Sequence, residues 1–496
     1  MVIMLETQET KFNYLKPEIK TSEKWWTILG VSVGVFIFSL DVYIVNLALP
    51  VMVESFHTTF AVSQWIVLSY LLAISIFVLS VAKLGDMWSK KRLYIIGMIV
   101  FTISSLLCGI APNIGFLIAF RAMQGLGAAF ISGLGTAMIV EAFPAEERGF
   151  ALGIRAGVFA LGMMLGPTIG GILISIGDWP LIFLINVPIG ILGIVIMAYL
   201  VPPSVVNGKK QYFDIIGTIF ITLMLTCFIL GITLLEEQNY DLNLILFLLF
   251  SSIIAFGFFI LVEMQTLHPI IDWKIFQSLE LTVGLGLRFI GNLVIAGAIF
   301  ILPFFFQLVK QYPPDTTGLL LAIPPIIIVL TAPIAGILSD KFGSRIISLI
   351  GLVLMAIGCF LISTFNTKLT IVNYMIAIVP YGLGIGMFQS PNNSAIMGAA
   401  PKDSLGITSG LLSLSRILGQ TVGVPLVGAI FSFVTLKNTQ LTRNIDVTTA
   451  PIASLVLGTQ ITFLFIAILL LVSIVVAICL WWFKEKPVSP EKLISD

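Results

Sequence analysis

Long apolar runs separated by short polar turns dominate these 496 residues. A membrane-spanning helix needs about 20 mostly apolar residues. Runs of that length fall at 25–50, 62–82, 93–110, 114–140, 150–174, 181–201, 214–235, 242–264, 282–309, 317–337, 345–363, 371–397, 405–434 and 455–482. The pattern predicts an all-α polytopic membrane protein with fourteen transmembrane helices. Trp25, Trp26, Trp481 and Trp482 stand at the ends of the first and last runs, where indoles anchor at the interface. Outside the bilayer this leaves polar tails at 1–24 and 483–496, connectors at 202–213 and 265–281, and a longest outer loop at 435–454. Residues 1–24 have no apolar core and do not read as a cleavable signal peptide.

Composition and charge sharpen the picture. At 58% hydrophobic and 10% charged residues, with mean hydropathy +1.09, the chain has too little polar surface for a soluble globule. A net charge of +1 implies no nucleic-acid partner. The placement of its 26 Lys and Arg is more telling. With a cytoplasmic N-terminus, eighteen lie in inner segments and four (Lys310, Lys368, Lys437, Arg443) in outer ones, the other four being intramembrane arginines. That bias sets both termini in the cytoplasm of a multi-pass cell (inner) membrane protein. Cys108, Cys227, Cys359 and Cys479 stand singly in apolar runs, as packing residues, with no disulfide or metal spacing. No cofactor or metal is expected.

Two turns repeat. Ala82 to Arg92 (AKLGDMWSKKR) and Gly336 to Arg345 (GILSDKFGSR) share a small-x-Leu-small-Asp pattern followed by basic residues. Matching turns about 250 residues apart suggest two related six-helix bundles. The expected division is 25–201 for the first bundle, 202–281 for a linker with two extra helices, and 282–482 for the second.

The sequence is similar to the major facilitator superfamily over nearly its whole length, and within it to the fourteen-helix drug:proton antiporter group. Ala82 to Arg92 resembles the superfamily's loop motif, with Asp86, Lys90, Lys91 and Arg92 keeping its charges but Ala82 and Ser89 replacing glycines. Leu117 to Ala129 resembles the helix 4 motif through Arg121, Gln124, Gly125 and Gly127. Gly153, Gly162, Gly166, Pro167, Gly170 and Gly171 fit every fixed position of the antiporter motif, G-x8-G-x3-G-P-x2-G-G, and are its most specific match. Leu40 to Pro50 (LDVYIVNLALP) resembles the helix 1 motif of the fourteen-helix group, with Asp41 and Asn46 in place. A departure occurs at WPLIFLINVPIG, where Pro180 and Leu181 replace the family's Arg and Trp. The resemblance implies a major facilitator fold, alternating access, proton coupling and a monomeric architecture in which Asp86, Lys90, Lys91, Arg92, Asp340 and Arg345 gate the cytoplasmic side.

The chemistry centres on Asp41, because an acid within a spanning helix faces a bundle interior or a water-filled cavity and by default marks function. A plain hydrogen bond to a neighbouring helix is the alternative. Asp41 and Arg121 each lie some six to nine residues from an outer helix end, or roughly 9–14 Å at about 1.5 Å per residue. They are predicted to share the central cavity, where burial favours the neutral acid and a guanidinium favours the carboxylate, so that rearrangement moves a proton. Asn46, Gln124, Arg288, Gln307, Gln389, Asn392, Asn393, Arg416 and Gln420 are the substrate-cavity candidates. Arg155 is expected to snorkel to the inner surface, and the helix 5 glycines to form one close-packing face. Asp86 and Asp340 either cap helices or pair across the bundles.

A polytopic enzyme is the competing class, but His57 and His268 lie in loops on opposite sides and no H-E-x-x-H or G-x-S-x-G motif occurs. The expectation is a secondary transporter exporting hydrophobic or amphiphilic small molecules against protons, of multidrug-efflux type. Arginines outnumber acids in the membrane region, which leaves export or flipping of a lipid, glycolipid or other anionic amphiphile as the alternative. Membrane lipids are its expected surroundings.

Overall fold

The computed structural model describes residues 21–144, 147–203, 215–234, 242–266, 278–399, 405–437 and 446–485. Most of both tails and of connectors 202–213 and 265–281 lies outside these, as do residues 438–445 of the outer loop 435–454 and the Asp86 side chain. Among the described residues fourteen helices are long and apolar enough to cross a membrane. They are α1 Thr21–Ser55, α2 Phe60–Met87, α3 Lys90–Gly109, α4 Ile114–Ala142, α5 Arg148–Gly177, α6 Leu181–Tyr199, α7 Ile215–Leu234, α8 Leu242–Gln265, α9 Leu279–Val309, α10 Pro314–Phe342, α11 Ser344–Ile362, α12 Ile371–Gly398, α13 Leu405–Lys437 and α14 Ile452–Glu485.

Helix ends follow local chemistry. Thr59, Asn113, Ser278 and Thr370 cap α2, α4, α9 and α12 by accepting a backbone N–H from three residues on. The repeated turns are tighter than the sequence suggests. α2 runs to Met87, and Ser89 caps α3 by accepting from the Arg92 N–H, so the cap there is not Asp86. In the second copy α10 runs to Phe342, and Gly343, at φ +89°, reverses the chain directly into α11. Only a residue without Cβ takes that backbone easily. α9 ends in a widened π-helical turn at Phe305–Val309, two residues after Pro303, and such turns re-aim side chains.

α1–α6 pack among themselves, as do α9–α14, and the two bundles meet along α2 with α13, α5 with α10, and α1 with α9. α7 and α8 form an antiparallel pair, with Phe220 stacked on Phe258 at 5.4 Å and the Ser252 hydroxyl donating to the Met224 carbonyl at 3.0 Å. α7 lies over the α2–α13 seam: Ser80 and Thr218 hydroxyls meet at 3.5 Å, and Ile221 and Leu225 pack in one cluster with Leu285 and Leu411. The inserted pair therefore touches both bundles.

The cleft between the bundles is sealed at its outer end. Phe60 of α2 packs on Phe300, Phe304 and Phe431 at 5.2, 4.8 and 5.6 Å. Gln307 Nε2, in the widened turn, donates to the Leu47 carbonyl at 2.9 Å. α5 and α10 touch backbone to backbone, since a Cβ on Gly171 would sit 2.5 Å from the Pro314 oxygen and one on Gly318 would strike the Pro167 oxygen. Toward the inner end α5 has open space beside it: Gly149, Gly153 and Gly157 have no heavy atom within 4 Å of a Cβ position. The charge bias places the sealed end of the cleft on the outer side.

Candidate functional site

Asp41, on α1, is fully buried, and Arg121, on α4, is 1% exposed. Arg121 Nη1 donates to Asp41 Oδ2 at 2.6 Å and to Gln124 Oε1 at 2.5 Å, and Arg121 Nε donates to the Ile66 carbonyl at 2.9 Å. Gln124 follows Arg121 by one helical turn and so shares its face. Its Nε2 donates to Asp41 Oδ1 and to Ser105 Oγ, each at 2.9 Å. Asn186 Nδ2, from α6, completes the shell at 3.1 Å from Asp41 Oδ1. The guanidinium lies over the Tyr70 ring, 4.2 Å from its centroid. The acid is thus held by side chains of α4 and α6, and the cation by α2 as well. Removing one partner of such a buried pair costs about 3–5 kcal/mol, because the other charge is left without compensation.

The predicted meeting of Asp41 and Arg121 is present in space, and Gln124, expected to line the substrate cavity, is instead bonded to both of them. Asn186, Ser105 and Tyr70 were not among the candidates. Asn186 carried a signal, as an amide inside the apolar WPLIFLINVPIG stretch. Ser105 carried none, since a serine in a spanning helix ordinarily bonds its own backbone, and Ser105 Oγ also donates to the Phe101 carbonyl at 2.7 Å.

Two small cavities lie along the bundle interface. One is lined by Arg121, Tyr70, Tyr43, Asn46 and Gln420; the other, of about 50 Å³, by Tyr43, Asn46, Pro167, Tyr381 and Gln389. The second has room for a few waters, whereas organic ligands occupy about 300–1,000 Å³. Asn46 Nδ2 donates to the Val42 carbonyl at 2.8 Å, while its Oδ1 and the Tyr381 hydroxyl have no hydrogen-bond partner among the described residues.

The remaining candidates scatter. Arg288 donates to the Leu412 carbonyl at 2.9 Å and to Asn393 Oδ1, and Asn392 Nδ2 to the Gly284 carbonyl at 3.2 Å, all within the second bundle. Gln307 spans the outer seam. Arg416 packs over Phe159 of the opposite bundle at 5.3 Å. Arg155 does not snorkel: its Nε is buried, close to Gly135 and without a partner.

The antiporter motif has two contact faces, not one. Gly162, Gly166 and Gly170, spaced by four, receive Ser39, Tyr43 and Ile44 of α1, whereas Gly171, turned by about 100° at 3.6 residues per turn, receives α10. Gly153 touches neither. On the inner side, Lys90 pairs with Glu141 at 2.6 Å, Lys91 donates to the Ala198 and Val201 carbonyls at 2.9 and 2.6 Å, and Arg345 pairs with Glu280 at 3.0 Å. All of these contacts lie within one bundle. Arg92 and Asp340 are exposed.

A sequence profile described as the Major Facilitator Superfamily matches residues 31–277 and 287–495. The chain belongs to the major facilitator superfamily. It is accordingly a multi-pass cell-membrane transporter of small molecules and not an enzyme. Among its relatives in this superfamily is the riboflavin transporter RibZ of Clostridioides difficile, 33% identical over 410 residues that cover 83% of this chain and 89% of that one. Multidrug resistance protein Stp of Mycobacterium tuberculosis is 28% identical over 407 residues, 82% of this chain and 75% of Stp. The fold matches a crystal structure of a bacterial homologue of the human lysosomal transporter Spinster, in an inward-facing and unoccupied conformation. That match has a TM-score of 0.65 at 15% identity and covers 93% of this chain and 97% of that one.

Proposed function

We propose that this major facilitator protein exports hydrophobic or amphiphilic small molecules in exchange for protons. The observation that carries the proposal is the Asp41–Arg121 pair, fully buried yet beside the cavity that Arg121 and Tyr70 line at the bundle interface. With the outer seam sealed, the acid is matched by Arg121, Gln124 and Asn186 together. We take rocking about the sealed outer seam to shift α1 against α4 and α6, since α5 packs both on α1 through its glycines and on α10 through Gly171 and so ties α1 to the moving seam. A shift that draws Arg121 from Asp41 leaves a buried acid that is cheapest when protonated. Proton uptake from outside and release inside then accompany one cycle of alternating access. The names of the relatives, a riboflavin transporter and a multidrug resistance protein, support a flat or amphiphilic organic solute.

The test uses proteoliposomes holding the full chain with an imposed pH gradient and a panel of fluorescent amphiphiles. Gradient-driven uphill movement is expected from the wild-type chain and is expected to vanish in Asp41→Asn. An Asp41→Asn protein that still moved solute uphill on the pH gradient would rule out the assigned role.

A further inference from the structure

Beyond Arg121, three intramembrane arginines converge from three helices. Counting from the inner starts of α5, α9 and α13, Arg155, Arg288 and Arg416 lie 7, 9 and 11 residues in, or roughly 10–17 Å deep at about 1.5 Å per residue. Arg416 crosses the cleft to pack over Phe159 at 5.3 Å. Phe159 follows Arg155 by four residues and so shares its face of α5, which draws the two guanidiniums to one place. Arg416 interacts electrostatically with both Arg155 and Arg288.

Among the described residues Arg288 bonds only neutral groups, the Leu412 carbonyl and the Asn393 amide. Among the described residues Arg155 and Arg416 make no hydrogen bond or ion pair, and Arg155 Nε is buried. The carboxylates that do pair are engaged elsewhere: Asp41 with Arg121, Glu141 with Lys90, Glu147 with Lys24 and Glu280 with Arg345. Grouped cations at membrane depth are unfavourable without a counter-charge. Closing the inner end would expel the water that screens them and strengthen the repulsion. A carboxylate or phosphate among them removes it, and guanidinium forks match both groups in bidentate fashion.

We infer that Arg155 and Arg416, backed by Arg288, form an anion subsite that takes the carboxylate or phosphate of an amphiphilic solute. Its apolar body lies along Phe159, Phe38 and Tyr43 of the adjoining wall, Phe38 and Phe159 being packed at 6.1 Å. The inference rests on the transport function and names its substrate class. Tyr70 links the subsite to the acid, because its ring lies under Arg121, its hydroxyl has no hydrogen-bond partner among the described residues, and Arg416 interacts with it electrostatically. A bound anion therefore changes the field one ring away from the Asp41–Arg121 pair.

The test is equilibrium binding without a pH gradient, using the full chain in phosphatidylcholine nanodiscs. Dansylglycine, dansylamide and dansylcadaverine share a fluorophore and differ in charge, and tryptophan-to-dansyl energy transfer reads their binding. The wild-type chain is expected to prefer dansylglycine over dansylamide by at least about tenfold, as hydrogen bonds to charged groups require. Inorganic phosphate at constant ionic strength is expected to compete and to raise Tm. Arg155→Gln and Arg416→Gln should lose the preference, with Arg155→Lys retaining part of it. Nanodiscs containing phosphatidylglycerol separate the sources. A lipid headgroup in the subsite abolishes the dansylglycine preference and stabilises wild type but not Arg416→Gln, whereas a soluble anion leaves the preference in place. Equal or absent binding of the probes by wild type, with no stabilisation by phosphate or phosphatidylglycerol, overturns the inference without recourse to any variant. Binding without a gradient reads the subsite and gradient-driven transport reads proton coupling, so a failure of coupling and a failure of the subsite give different results.

Discussion

Replacing Asp41 with asparagine keeps the shape of the site and removes its charge. Oδ1 can still accept from Gln124 and Asn186 at 2.9 and 3.1 Å. The other terminal atom becomes an NH₂ facing Arg121 Nη1, where the wild-type separation is 2.6 Å. Two donors then oppose each other, and a guanidinium that is 1% exposed has lost its counter-charge. The expected destabilisation is about 3–5 kcal/mol, a factor of roughly 10² to 10⁴ in the folded population. The Asp41→Asn/Arg121→Met double variant removes both charges and should recover most of that loss. It still lacks the bonds from Arg121 to the Ile66 carbonyl and Gln124, each worth about 1 kcal/mol. Unfolding in mixed micelles titrated with dodecyl sulfate, followed by tryptophan fluorescence, gives the double-mutant cycle. A single variant within about 1 kcal/mol of wild type, or a double variant as unstable as the summed singles, would refute the energetic reasoning.

Other consequences follow from the same geometry. Asn186→Leu removes one donor to Asp41 and should reduce gradient-driven transport by about tenfold or more, as loss of a hydrogen bond to a charged group implies, while the protein still elutes as a folded species. Gly318→Val drives a side chain into the Pro167 carbonyl. Overpacking of this kind costs roughly 1–3 kcal/mol, so labelling of a Gln307→Cys reporter by an impermeant maleimide from outside should quicken. Gly153→Ala, with open space around its Cβ position, should leave that labelling rate unchanged. Arg345→Gln breaks a pair whose side chains are 37% and 30% exposed, and screening should hold the stability change below about 1 kcal/mol.

Much of the fold was legible because spanning helices must satisfy their own backbone, which ties each to an apolar run of fixed minimum length. The repeated Asp-and-basic turns likewise carried the two-bundle architecture. Ends moved where local chemistry outweighed hydropathy. α1 continues through Pro50 to Ser55, and Ser89 and Gly343 place the turns inside the charged motifs. That Asp41 and Arg121 lie at similar depth was readable from the sequence, since both positions can be counted from helix ends, and an acid in a spanning helix avoids lipid.

Depth does not fix azimuth. Whether a side chain at a given level faces the cleft, its own bundle or lipid depends on how the helices are rotated against one another, and hydrophobic periodicity in a membrane carries little of that, because lipid and protein interior are both apolar. Tertiary packing alone therefore divided the intramembrane polar residues. It sent Asn392 and Asn393 into the second bundle, Gln307 across the outer seam, Asn186 onto Asp41, and Arg416 onto Phe159 beside Arg155. By itself the sequence determined the number, order and orientation of the helices and the charges that each carries. Only the tertiary structure decided which of those charges meet, since that depends on rotations and tilts of whole helices that no local pattern encodes.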